Sequence, residues 1–396
     1  MKLSLCAIAL NEESALPKCL SSVAGVVDEI VLLDTGSSDR TSEIALSFGA
    51  RVYEYKWCND FSAARNEALK YVRGDWVLVL DADEVLVPEI VPSLKQAINN
   101  EAYLLINLLR YEVGAASSPY SLVSRLFRRH SNIYFARPYH ASVDDSVTLI
   151  LERESHWKIG NLPGVAINHV GYQKNAIALL NKFDKARTAM EGFLATHPHD
   201  PYVCSKLGAL YVEQDLLAEG MELLERGLQA KDVSSDLRYE LHYHLGIAYT
   251  KVQQVENAQS HYESAIASSV YPMLKLGAYN NLGALKRATG DLIAAKTAYQ
   301  TAVNIDPNFA TGYYNLGITL KAMGNLTEAI AAYKKAISIH PSYAEAYQNL
   351  GVVLLKAGLV ADSLAAFNRA IALHNEQNPV AAQQLRQGLQ DMGLVK

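Results

Sequence analysis

The chain has 396 residues, 50% of them hydrophobic, and a formal net charge of -5. That is enough apolar material for at least two cores, and too acidic a balance for general attraction to nucleic acid or anionic lipid. Its four cysteines, Cys6, Cys19, Cys58 and Cys204, have neither metal-ligand spacing nor a disulfide framework, which fits reduced thiols in a cytoplasmic protein. No stretch reads as a signal peptide or reaches the roughly 18 uncharged apolar residues of a membrane span, so neither is expected.

From Lys2 to about Ile90 strand and helix patterns alternate. Leu3 to Leu10 reads as a strand, Ser14 to Gly25 as a helix and Glu29 to Asp34 as a second strand; Arg40 to Phe48 is helical and Arg51 to Tyr55 extended. A helix from Phe61 to Val72 then leads into the apolar strand that ends in Asp81-Ala82-Asp83-Glu84. Such alternation predicts an α/β domain with a parallel sheet covered by helices. Right-handed crossovers would bring the polar strand ends, Asn11-Glu12-Glu13, Asp34 to Asp39 and Asp81 to Asp83, into one crevice. Continuing the strand alternation would put Asp81 and Asp83 on one side of the backbone, where two hard oxygen donors suit Mg2+ or Mn2+. Asp34 ends an apolar strand and is placed either to accept a ring N–H from a base or to cap its own turn; if it meets the base, Ser38 or Asp39 is left for the cap. Arg65, flanked by alanines, reads either as a solvated helix residue or as one pointing at a nucleotide.

In order and spacing, Ala7 to Glu13, Val31 to Thr41, Asp60 to Asn66 and Leu80 to Glu84 resemble the motifs of family 2 glycosyltransferases. The resemblance implies a Rossmann-like mixed sheet of the GT-A type, a UDP-linked sugar donor, Mn2+ or Mg2+, and inversion at the anomeric carbon. Carried over by position, Ala9, Asn11 and Glu12 would line the nucleotide pocket, Asp34 would meet the base and Arg65 would sit near the nucleotide. Asp81 would approach the ribose or sugar, and Asp83 would hold the metal and act in catalysis.

From Glu101 to His169 the segments Ala102 to Glu112, Ser124 to Arg128, Ile133 to Arg137 and Val165 to Val170 are strand-like and would form the acceptor side. Arg125-Leu126-Phe127-Arg128 and Arg137-Pro138-Tyr139-His140 resemble segments of repeat-bearing members of the family, in which a Glu commonly follows the His. Here Ala141 stands in that place, leaving His140, Asp144 or Asp145 as alternatives for the general base, each of which reads equally as a solvated loop residue. His169, in a His-x-Gly-Tyr segment, is either a core histidine or a third metal ligand or diphosphate donor, with Gly171 permitting close approach.

After Tyr172 the composition turns to alanine- and leucine-rich helix. Leu-Gly pairs recur at Gly208, Gly246, Gly283, Gly317 and Gly351, and the last three units carry an aromatic residue sixteen positions later, at Tyr299, Tyr333 and Phe367. This is the tetratricopeptide pattern of paired helices. The expected layout is a catalytic domain over residues 1–174, a connecting helix over 175–200 and an all-α repeat superhelix with a capping helix over 201–396. The repeats would recruit a protein or peptide acceptor or an assembly partner, and the lack of a flexible linker implies a fixed mounting. Asn281, Asn315 and Asn349 fall at one repeat position, similar to the asparagine ladder of the O-linked GlcNAc transferase superhelix. The competing class is a tetratricopeptide scaffold whose transferase domain has lost turnover, for which Ala141 is the main argument.

Overall fold

The computed structural model describes residues 1–170, 176–231 and 233–394, without the side chains of 176–182. Gly171, Tyr172 and the expected boundary at 174–175 lie outside the described residues. Two compact units form, Met1–Ala115 with Pro119–Asp232, and Ala116–Ser118 with Val233–Lys396.

The first unit is built on an eight-stranded mixed sheet with strand order β3-β2-β1-β4-β7-β6-β8-β5. β1 (Leu3–Ala9), β2 (Glu29–Asp34), β3 (Arg51–Glu54) and β4 (Trp76–Val79) are parallel. The helices that connect them are α1 (Leu16–Val23), α2 (Thr41–Ser47) and α3 (Phe61–Leu69). Their short runs of Val, Leu and Ile are buried because helices cover both faces. The other half consists of β5 (Glu84–Leu86), β6 (Tyr103–Glu112), β7 (Tyr120–Arg128) and β8 (Lys158–His169), with α4 (Val91–Ile98) and α5 (Asp144–Arg153). β7 runs antiparallel to both β4 and β6, while β8 runs parallel to β6 and antiparallel to β5.

Three local expectations are corrected. Residues 133–137 form no strand among the described residues, only an isolated bridge between Ala136 and Ser142, because Arg137 adopts φ 72° and Pro138 follows it. Asp144 and Asp145 open helix α5 rather than lying in a loop; their carboxylates favour its positive N-terminus. Finally, β4 stops at Val79, and Asp81 to Glu84 form a turn in which the Glu84 N–H donates to the Asp81 carbonyl at 3.0 Å and the Asp81 N–H donates to Glu84 Oε2 at 2.9 Å. Strand alternation therefore does not extend through Asp81 and Asp83, and the two carboxylates part ways.

Three further helices, α6 (Ala176–Thr196), α7 (Pro201–Glu213) and α8 (Leu217–Leu228), belong to this first unit. Arg137 ties them to the sheet domain through Asp200, the N-cap of α7, with Nη2 3.0 Å from Oδ2, and its guanidinium lies 4.7 Å from the Tyr202 ring centroid. The first repeat pair is thereby anchored on the sheet domain.

The second unit pairs α9 (Ser235–Lys251) with α10 (Val255–Ala267), α11 (Leu276–Ala288) with α12 (Leu292–Ile305), α13 (Ala310–Ala322) with α14 (Leu326–Ile339) and α15 (Ala344–Lys356) with α16 (Val360–Gln377). α17 (Pro379–Asp391) packs on α16. The repeat glycines exist for close packing. A Cβ at Gly317 would lie 2.7 Å from the Tyr333 ring, and Gly246, Gly283 and Gly351 face Tyr262, Tyr299 and Phe367 in the same way. The aromatic sixteen residues after the glycine thus begins one repeat earlier than the sequence pattern suggested.

Candidate active site

At the carboxyl ends of β1 and β2 two loops are laced together. Asn11, at φ 56°, accepts the Ser38 N–H on Oδ1 at 2.7 Å while its own N–H donates to Ser37 Oγ at 2.9 Å. The Glu12 N–H donates to Thr41 Oγ1 at 2.7 Å. Ala9 is buried in the core, with its carbonyl taken by Thr35. Asp39 accepts the Thr41 N–H at 3.0 Å from just before α2, whose N-cap position is Arg40 and carries no side-chain cap.

Asp34, 6% exposed, accepts N–H bonds from Gly36 and Ser37 at 3.0 and 2.7 Å and the Ser42 hydroxyl on its other oxygen. Burial opposes its charge, but the Ser42 hydroxyl and the turn N–H groups outweigh it and hold the carboxyl below its ordinary range. The turn reading of Asp34 is therefore realised. The carboxylate organises its own turn, and a carboxylate oxygen such as Oδ2 has lone-pair capacity for a donor besides the Ser42 hydroxyl.

The centre of the site is an unbroken chain of alternating charges. Arg65 Nη2 lies 2.6 Å from Asp81 Oδ1, and Arg125 Nη2 lies 2.8 Å from Asp81 Oδ2. Arg125 also reaches Glu84 at 3.4 Å, Arg110 bonds Glu84 and Glu112 at 2.8 Å each, Glu112 meets His169 Nδ1 at 2.5 Å, and His169 Nε2 faces Asp83 Oδ2 at 3.4 Å. Burial works against charge on Asp81, yet Arg125 and Arg65 hold its carboxyl well below the usual carboxylate range. His169 is pushed the opposite way: hydrogen bonds to Asp83 and then Glu112 outweigh burial and raise it to about 9.

Two features of the sheet aim these groups. β5 and β8 pair Glu84 with His169, β6 and β8 pair Glu112 with His169, and the Val170 N–H donates to the Asp83 carbonyl at 3.1 Å. The backbone ladder thus fixes His169 between its two carboxylates. On the other side, Ile106 pairs with Leu126 and Leu108 with Val123, so Ser124 and Arg125 together oppose Asn107. That β-bulge re-aims Arg125 toward Asp81 and Glu84.

The partition decides what each carboxylate can bind. Asp81 is neutralised by two guanidiniums and is left to accept hydroxyl donors. Asp83 and His169 Nε2 form the pair with metal-ligand chemistry. No group of three or more His, Cys, Asp or Glu side chains suited to a metal occurs among the described residues. Two protein donors nevertheless fit Mg2+ or Mn2+, which usually keep positions for phosphate oxygens and water. Glu112 on Nδ1 is the outer-shell carboxylate that such a histidine ligand ordinarily has.

The two groups expected near the acceptor separate. His140 is exposed at φ 52°, stacked edge-on against Tyr139, with its carbonyl accepting from the Tyr202 hydroxyl at 3.1 Å. Asp144 accepts the Ser124 hydroxyl at 2.5 Å and the Ser142 hydroxyl, and so adjoins the bulge that carries Arg125. Asp145 is paired with Arg137 at 2.7 Å.

Residues 4–160 match the model of glycosyl transferase family 2, and residues 283–324 and 319–358 match the TPR repeat. A TPR repeat-containing protein of Synechococcus elongatus is 41% identical over 306 residues, covering 77% of this chain and 76% of that protein. The chain belongs to the family 2 glycosyltransferases that carry tetratricopeptide repeats. An uncharacterized glycosyltransferase of Rickettsia typhi is 28% identical over 43% of this transferase and 61% of its own length. The SPbeta prophage-derived glycosyltransferase SunS of Bacillus subtilis is 26% identical over 49% of the chain and 45% of its own length. The transferase thus spans less than two thirds of each of these two relatives. Among solved structures, MamA (22% identity, TM-score 0.39, 46% of this chain and 96% of that one) and YrrB, described as a TPR protein with an unusual peptide-binding site (17%, 0.40, 50% and 98%), are similar to the repeat region. No described helix of this transferase is long and apolar enough to cross a membrane.

Glu84 and Arg125 of this glycosyltransferase lie in segments that the sequence marks but that assign them no role, and Arg110 and Glu112 were not singled out. Glu84 had a signal in its place directly after Asp83, at the turn. The other three depend on strand register.

Proposed function

We propose that this glycosyltransferase moves a sugar from a UDP-linked donor, with inversion, onto a protein or peptide acceptor recruited by its repeats in the cytoplasm. The observation that carries the reading is the division of labour between Asp81, bound by Arg65 and Arg125, and Asp83, facing His169. When bound at Asp83 and His169, Mn2+ or Mg2+ would supply positive charge for the leaving diphosphate. The proton on His169 Nε2 would be exchanged for the cation.

The chain's own groups account for the rest. Asp34 accepts the base N–H on its open lone pair, with Asn11 and Glu12 shaping the wall of that pocket through their bonds to residues 37–41. Asp81, held in place by two guanidiniums, accepts ribose or sugar hydroxyls. Asp144, pinned by two hydroxyls beside the bulge, is the group best placed to take the acceptor proton; His140 is the alternative. Inversion follows from a single displacement, and proton NMR of the first sugar released from an α-linked UDP donor should show the β anomer. Initial release of the α anomer would contradict it.

Asp34→Ala should weaken UDP binding by about 1.5–3 kcal/mol, the worth of a hydrogen bond to a charged group. Calorimetric titration giving equal UDP affinity in variant and parent would remove Asp34 from the base pocket. Asp144→Asn, whose amide can still accept one of the two serine hydroxyls and donate to the other, should lower kcat by about 10²–10⁴-fold, the usual contribution of a positioned base. Asp145→Asn should not. If the Asp144 variant retains full kcat, the base is another group, and His140→Gln is the variant to measure next.

A further inference from the structure

The first helices of successive repeats, α9, α11, α13 and α15, lie side by side and form one face of the second unit. Along α11, α13 and α15 the charged residues are Lys286, Arg287, Lys321 and Lys356, against a single carboxylate, Glu345, whereas α9 carries Asp236 and Glu240 beside Arg238 and Lys251. Helix dipoles favour cations in last turns, but that does not account for this row. The second helices α10, α12 and α14 have no basic residue in their last turns, whereas α11, α13 and α15 all do.

The cations are also short of counter-charges. Arg287 Nη1 is buried with no hydrogen-bond partner, and Lys321 donates to the neutral amide of Asn349 at 2.8 Å. Burial, then Lys356 and Arg287, push the Lys321 ammonium below its ordinary range. The asparagine row, by contrast, is engaged within the unit. Asn315 donates to Asn280 at 2.8 Å, and Asn349 donates to the Tyr314 hydroxyl and the Glu345 carbonyl at 3.2 and 3.1 Å. The formal charge on this face lies with the cations, the amides being neutral.

We infer that this face binds an extended acidic segment of the acceptor protein, its carboxylates meeting Arg287, Lys321 and Lys356 in turn. The inference rests on the reading that the repeats recruit the acceptor, and it names the chemistry of what they recognise. Packed helices lie about 8–10 Å apart and an extended chain advances about 3.3 Å per residue, so carboxylates three residues apart match successive helices. Positive charge alone would attract any polyanion; a match to that spacing is what selects a peptide.

The test uses the full chain and a fluorescein-labelled peptide of four Glu-Gly-Ser triplets, with a Lys-Gly-Ser peptide as control, in fluorescence anisotropy. The glutamate peptide should bind, the lysine peptide should not, and Lys321→Glu with Lys356→Glu should weaken binding at least tenfold. Lys356→Glu alone, at an exposed position, should weaken it measurably while the melting temperature is unchanged. Equal binding of the two peptides, equal binding by the variants, or tighter binding of an oligothymidylate than of the glutamate peptide would each overturn the inference. Release of UDP from donor without acceptor is measured on the same samples. Lost peptide binding with release intact counts against the acidic segment alone, whereas tight peptide binding without release from any donor supports the segment and counts against the transferase reading.

Discussion

Asp83→Ala is expected to abolish transfer and the metal-dependent part of UDP binding while the protein stays folded. The residue sits in the turn after β4, its side chain is 20% exposed, and its ionic partner is His169; truncation removes a proposed ligand without opening a core cavity. Charge stabilisation by a bound cation is worth several kcal/mol, so kcat should fall by roughly 10³-fold or more. Titration of UDP with and without Mn2+, with a melting curve as control, checks it. Unchanged UDP affinity with Mn2+ present would move the cation elsewhere.

Glu84→Gln should cause the largest loss of stability. Glu84 is fully buried, accepts the Asp81 N–H, and faces the guanidiniums of Arg110 and Arg125. Glutamine keeps the shape and the bond to the backbone but leaves two half-buried cations without their shared counter-charge. Breaking one side of a buried pair costs about 3–5 kcal/mol, or roughly 6–20 °C in the melting temperature of a unit this size. Because Arg125 also holds Asp81, donor binding should weaken at temperatures where the variant remains folded. A variant that melts with the parent would show that the charge chain is dispensable to the fold.

These two residues also mark where the sequence could be read and where it could not. An apolar strand running into carboxylates made Asp81 and Asp83 stand out, and the same signal found Asp34. The separation of Asp81 from Asp83 was not legible, because it depends on Glu84 turning back to the Asp81 N–H and ending the strand. Arg125 could not be found by alternation, since its direction is set by a bulge that adds one residue to β7. Glu112 and His169 are 57 positions apart and meet only through the β6–β8 register. The repeats were legible almost throughout, since each packs on its neighbours and writes its contacts into a short period. Even there, the pairing of Gly246 with Tyr262 in α9 and α10 was visible only in the packing.

The most direct measurement is UDP release from a panel of nucleotide-sugars, UDP-, GDP-, CDP- and dTDP-linked, with Mn2+ and with EDTA. The account predicts turnover of at least one UDP-linked donor, abolished by EDTA and by Asp83→Ala. Turnover that persists in EDTA, or that is confined to a donor with a different base, would contradict the assignment of Asp83 and His169 to a cation and of Asp34 to uracil.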